Sequence, residues 1–202
     1  MENASAETIR LAADAAARTG VAGPKRSTVI ANFVLFQLAW FAAVLGAAYR
    51  WPALGTACVL AAVAVHVAGA VRPRVELTFV AIVVVVGLVS ESAVALQGHI
   101  VYPSGQPVAW LAPYWIVALW ALLATAPNVT LRWLKRRPAL AAVLGAVCGP
   151  ASFAAGVRLG GAHFVDATAA LVTLAVLWAV LMPALMALSI RLDGFATPSV
   201  AS

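Results

Sequence analysis

The sequence predicts an all-α fold: six transmembrane helices packed into one bundle of a polytopic membrane protein. Three observations lead there. Hydrophobic residues make up 64% of the chain and charged residues only 10%, against roughly 25% charged in soluble domains. The apolar residues fall in successive runs of about 20, each long enough to cross roughly 30 Å of hydrocarbon. The basic residues stand at the ends of those runs, where they set topology and meet anionic head groups.

The same placement argues against nucleic acid, despite a net charge of +6. No basic stripe with interleaved aromatics exists outside the apolar runs. Cys58 and Cys148 both lie inside apolar runs and form no C-x-x-C, which speaks against a structural disulfide or a zinc site. The three histidines are far apart, and no H-E-x-x-H, phosphate loop or G-x-S-x-G elbow occurs. No metal and no cofactor is expected.

Residues 1–28 are polar and alanine-rich, without the apolar core of a secretory signal, and are read as a cytoplasmic tail. Within it, Ser5 to Arg18 could form a short surface helix, although its apolar face is thin. The membrane domain covers residues 29–190. Segment one runs from about Val29 to Tyr49 and segment two from about Pro52 to Ala70, joined at Arg50-Trp51 by a turn with room only for a tight hairpin. Val71 to Arg74 forms the next turn, and segment three covers about Val75 to Leu96. Its run Ile82 to Val86 would suggest a strand in water; in lipid an open strand leaves backbone groups unpaired, so helix is expected.

Gly98 to Pro107 is the one long loop. Segment four extends from about Val108 to Ala126, segment five from about Pro138 to Val157, and segment six from about Val165 to Ile190. Residues 191–202 are a short cytoplasmic tail. Arg50-Trp51-Pro52-Ala53-Leu54 is echoed by Arg136-Arg137-Pro138-Ala139-Leu140, which is either an inverted repeat of two three-helix halves or coincidence.

Orientation follows from the basic residues. One side collects Arg10, Arg18, Lys25, Arg26, Arg72, Arg74, Arg132, Lys135, Arg136, Arg137 and Arg191, and the other only Arg50 and Arg158. Both termini are therefore expected in the cytoplasm.

Chemistry centres on the run Leu77 to Gln97, which carries one carboxylate, Glu91. A charge at such depth costs roughly 2.5–3.5 kcal/mol and needs a partner or a polar pocket. Gly87, Glu91, Ala95 and Gly98 share a helix face small enough for another helix to approach, which turns Glu91 inward. Ser90 and Ser92 flank it with hydroxyls. Arg158 is the expected countercharge, with His99 as a second candidate, and Ser152 lies on a kinked, glycine-lined segment five. These six residues form the candidate site, with Glu91 either a functional carboxylate or one half of a helix-locking ion pair. Asp166 reads as a helix N-terminal charge and His66 as a lone core histidine donating to a carbonyl. Asn32, Gln37, Asn128, Thr130 and Arg132 read first as helix-end chemistry and second as a binding site.

Phe36-Gln-Leu-Ala-Trp40-Phe-Ala-Ala-Val-Leu-Gly46, Trp115 to Trp120 with Asn128-Val-Thr-Leu-Arg-Trp133-Leu, and Gly149-Pro-Ala-Ser-Phe-Ala-Ala-Gly156-Val-Arg-Leu-Gly160 resemble an uncharacterised family of small bacterial inner-membrane proteins, the domain of unknown function DUF2878. The resemblance covers roughly Asn32 to Leu188. It implies a gene neighbourhood of fatty-acid modification and carries over no site residues. The leading expectation is a protein that binds or moves a lipid-like or small amphipathic molecule, with membrane lipids as partners. The alternatives are an intramembrane enzyme acting on acyl chains and a structural partner of other membrane proteins.

Overall fold

The computed structural model describes residues 23–196, and the tail helix considered for Ser5 to Arg18 lies outside them. Six α-helices follow in order: α1 (Arg26–Ala48), α2 (Pro52–Ala68), α3 (Pro73–Leu96), α4 (Tyr114–Ala124), α5 (Pro138–Arg158) and α6 (Ala167–Arg191). Two two-residue strands, β1 (Ile100–Val101) and β2 (His163–Phe164), pair antiparallel and tie the loop after α3 to the loop after α5. Prolines stand at the first turn of α2, α3 and α5, where the missing N–H would have had no helical partner anyway.

Six α-helices are present among the described residues, but the expectation of six membrane-length ones needs correction. Four are long and apolar enough to cross a membrane: α1, α3, α5 and α6. Helix α2 has 17 residues and α4 only 11. Segment four, expected from Val108, becomes helical only at Tyr114, after Pro113. A proline lacks the N–H and pushes the residue before it out of the helical region. The chain ahead of it is instead held by tertiary bonds: Ser104 Oγ donates to the Ala47 carbonyl at 2.8 Å, and the Trp115 indole donates to the Ser104 carbonyl at 3.2 Å. At its other end α4 gives way to turns and a 3-10 turn at Arg132–Leu134.

Helix α4 lies in the core. Trp115, Ile116, Ala118, Trp120, Ala121, Leu122 and Ala124 are all buried, and a helix that is apolar all round belongs inside. Helices α1, α2 and α3 pack around it, while α5 and α6 form their own close pair. The echo at Pro52 and Pro138 does not extend to helix length: α1 and α4, which precede the two motifs, have 23 and 11 residues.

Between apolar helices in lipid, van der Waals fit drives association, so small residues mark the seams. A Cβ on Gly55 would stand 2.5 Å from the Ala42 carbonyl oxygen. Gly145 lies under the Trp178 backbone, Gly149 under the Trp178 ring, and Gly87 under Trp120. The tight turn between α1 and α2 holds Arg50 at φ 61°. Outward faces carry Phe33, Val85, Val89, Val147 and Val176, all exposed.

The helices run alternately between two ends. At one end the α1–α2 turn, the Ser104 bond and the β1–β2 pair meet. At the other, which carries most of the basic residues, the starts of α1, α3 and α5 meet the ends of α2, α4 and α6.

Candidate functional site

The polar residues concentrate at the basic end. Glu76, in the first turn of α3, is fully buried. Its Oε1 accepts from His66 Nε2 at 2.8 Å, and its Oε2 accepts from Asn128 Nδ2 at 2.7 Å and from the Gly194 N–H at 3.0 Å. His66 and Glu76 stand five residues either side of Val71, so the helical hairpin through the α2–α3 turn brings them face to face. On the other side of the ring, Asn32 Nδ2 donates to His66 Nδ1 at 3.0 Å. That bond places the imidazole proton on Nε2, toward the carboxylate. Turning the Asn32 amide over would suit a doubly protonated ring instead. In either orientation one end of this buried amide has no partner; as placed, it is Oδ1.

Behind Glu76 the network continues into charge. Asn128 Nδ2 also donates to the Leu192 carbonyl at 2.9 Å, and Lys135 Nζ donates to Asn128 Oδ1 at 2.6 Å. Asp193 Oδ2 pairs with Lys135 at 2.8 Å and with Arg132 at 2.7 Å. Burial pushes the Lys135 ammonium down from its ordinary range, against the pull of Asp193. Burial pushes the Asp193 carboxyl up, but its bonds to Lys135 and Arg132 prevail and hold it below the usual carboxylate range. Arg72 donates to the Asp193 carbonyl. The segment Leu192 to Phe195 is thereby folded back over Glu76, and the Phe195 ring lies 4.9 Å from that of His66.

Asn32, His66 and Phe195 line a cavity of about 330 Å³ between α1, α2 and α4. Ser27, Thr28 and Thr125 add hydroxyls; Leu35, Phe36, Val65 and Leu122 form the apolar wall.

The six residues expected to form a site do not converge. Glu91 is buried, 1% exposed, as its small-residue face predicts. Its Oε1 accepts from the Trp120 indole at 3.1 Å, and its Oε2 has no partner. The expected ion pair with Arg158 is not formed. Arg158 ends α5 exposed to the surroundings, and among the described residues the pairs between a carboxylate and an Arg or Lys are Arg132–Asp193 and Lys135–Asp193. Ser90 turns its hydroxyl back to the Val86 carbonyl at 2.8 Å, while Ser92 accepts from the Ala112 N–H at 3.1 Å and so anchors the loop before α4. His99 contributes its carbonyl, to Val165 N at 2.8 Å. Only Ser152 shares a cavity with Glu91, one of about 90 Å³. Tyr102, in the loop beyond α3, keeps a buried hydroxyl without a partner; burial first and Glu91 second push its phenol up.

The family described as "Protein of unknown function (DUF2878)" matches residues 29–184. The chain belongs to that family. No curated protein and no solved structure matches it. Asn32, His66, Glu76, Glu91, Asn128 and Lys135 of this DUF2878 chain lie within the matched stretch, whereas Asp193 to Phe195 lie beyond it.

Two expectations change with the geometry. His66 is no lone histidine donating to a carbonyl; its partners are a carboxylate and an amide. Asn128 does satisfy a helix end, but that of α6 rather than its own. Glu76 has no distinction in the sequence, because it sits in the first turn of a basic helix start, where a carboxylate is ordinarily a solvated dipole partner. Its spacing from His66 across the hairpin was the available signal. Chemically, the DUF2878 cavity offers a free amide end beside a carboxylate-held imidazole, with an apolar wall alongside. The cavity thus sets hydrogen-bonding groups against an apolar surface.

Proposed function

We propose that this chain is a multi-pass protein of the bacterial inner membrane, with both termini cytoplasmic, that binds or moves a lipid-like or small amphipathic molecule. The carrying observation is the cavity at Asn32 and His66, where a buried amide oxygen without a partner stands beside an apolar wall. A buried polar group left unpaired costs roughly 1–3 kcal/mol, and a ligand hydroxyl entering the cavity would remove that cost.

The groove between α1 and α2 supplies a place for the apolar part. Through Leu35, Ala62 and Val65 the cavity continues into a depression of about 430 Å³, and through Ala42 and Cys58 into another of about 320 Å³ beside Gly46 and Gly55. From Asn32 to Gly46 this track measures roughly 21 Å at the helical rise. A head at the basic end and a chain along α1 match the orientation of a lipid in the leaflet on that side. The excess of basic residues there supports the cytoplasmic assignment. Six crossings are compatible with the short α4, because non-helical backbone at membrane depth is tolerated where protein buries it, and α4 is buried among its neighbours.

The test is mass-spectrometric profiling of molecules retained by the protein purified in nanodiscs. Wild type should retain one amphipathic class, and Asn32→Leu should reduce it about tenfold, the loss of one well-placed hydrogen bond to a buried group. Ala31→Phe, which narrows the same cavity from α1 while leaving Asn32 and His66 in place, should do the same. An identical profile in all three proteins would refute the proposal.

A further inference from the structure

We propose that the Glu91 cavity is a second, separate binding site, for a small primary ammonium ion that also carries a hydroxyl oxygen. Glu91 brings a carboxylate into the bundle with one oxygen bonded to Trp120 and the other free. No cation of the described residues is paired with it. Elsewhere in this protein a buried carboxylate is met in full: Glu76 has three donors.

Aromatic rings make up half of the lining around Glu91, beside Ile116, Leu119 and Leu123. Trp40, Trp120, Phe153 and Trp178 line the cavity with it, and Trp120 and Trp178 are stacked 5.0 Å apart. Aromatic faces carry negative charge density and attract cations, by roughly 2 kcal/mol or more once water is excluded. A neutral guest would gain little from such walls and would leave the carboxylate without a countercharge. The volume, about 90 Å³, suits an ammonium group with two or three further heavy atoms, not a whole lipid. The second feature of the guest comes from Trp178, whose buried indole N–H has no acceptor. The site thus presents a free acceptor oxygen, a free donor and an aromatic wall. An ammonium group donates to Glu91 Oε2 while a hydroxyl oxygen accepts from Trp178. Ser152, on the α5 side of the lining, is exposed.

The site is distinct from the Asn32 cavity, and Phe36 is the one residue that lines both. Isothermal titration calorimetry on the protein in phosphatidylcholine nanodiscs, with empty nanodiscs as blank, tests it. Ethanolamine, ethylamine and ethylene glycol are the probes, at matched ionic strength. Ethanolamine should bind saturably, ethylamine more weakly, and ethylene glycol at least about tenfold more weakly, since it lacks the charge. Glu91→Gln should lose both amines by a similar factor while Asn32→Leu leaves them unchanged. Trp178→Phe should remove the advantage of ethanolamine over ethylamine. Absence of saturable amine binding, equal binding of the glycol, or full binding by Glu91→Gln would each overturn the assignment.

Discussion

Glu76 and Glu91 stand fifteen residues apart on α3 and about 60° apart around it, both almost wholly inaccessible. They differ in what faces them. Glu76 lies in the first turn, where the helix dipole favours a negative charge, and both of its oxygens are answered, by His66 on one and by Asn128 and Gly194 on the other. Glu91 lies near the other end of the helix, where the dipole opposes it, and one indole is its whole complement. Burial is therefore a poor guide to role. The satisfied carboxylate ties four segments of chain together, and the unsatisfied one stands beside an open cavity.

The largest effect expected from this contrast is at Glu76. Glu76→Ala leaves the donors of His66, Asn128 and Gly194 facing nothing, and removing one side of a buried charged network costs about 3–5 kcal/mol. Thermal unfolding in detergent should show a loss of that order. A change below about 1 kcal/mol, the worth of one ordinary hydrogen bond, would mean the network is not what holds this end closed.

Asp193 comes next. Asp193→Asn weakens two charge-assisted bonds, worth about 2 kcal/mol, and should loosen the segment that covers Glu76. The same carboxyl makes the fold acid-sensitive. A carboxyl held low in the folded state contributes stability above its unfolded value, about 3.9, and that contribution drains away as pH falls through the lower folded value. Wild type should lose melting temperature below about pH 4, and Asp193→Asn should show a shallower loss from a lower start. Parallel acid profiles in the two proteins would remove Asp193 from that account.

The smallest effect is at Glu91. Glu91→Gln keeps the shape and an oxygen for the Trp120 N–H while removing an expensive buried charge. Its melting temperature should stay within the equivalent of about 0.5 kcal/mol, the scatter of innocuous substitutions, or rise. A loss comparable to that of Glu76→Ala would place Glu91 among the structural carboxylates and end the contrast.

Much of this was legible in the residues. The apolar runs, the prolines that open α2, α3 and α5, and the placement of basic residues follow from local rules of length, backbone geometry and charge, which need no neighbours. So does the inward turn of Glu91, because Gly87 and Glu91 share one helical face and Gly87 receives Trp120. Tertiary structure decided the rest. That α4 is 11 residues long depends on the tertiary bonds that Ser104, ahead of Pro113, makes with Ala47 and Trp115, which no local pattern records. That Arg158 stays outside while Trp120 meets Glu91 depends on which helices adjoin α3. Asn32, His66, Glu76, Asn128, Lys135 and Asp193 come from five different helices or their flanks, and they gather only when the helix ends are brought to one side of the bundle. A hydrogen bond is satisfied in three dimensions across chain separations of tens of residues, so its partner is set by packing and cannot be read from either residue's own surroundings.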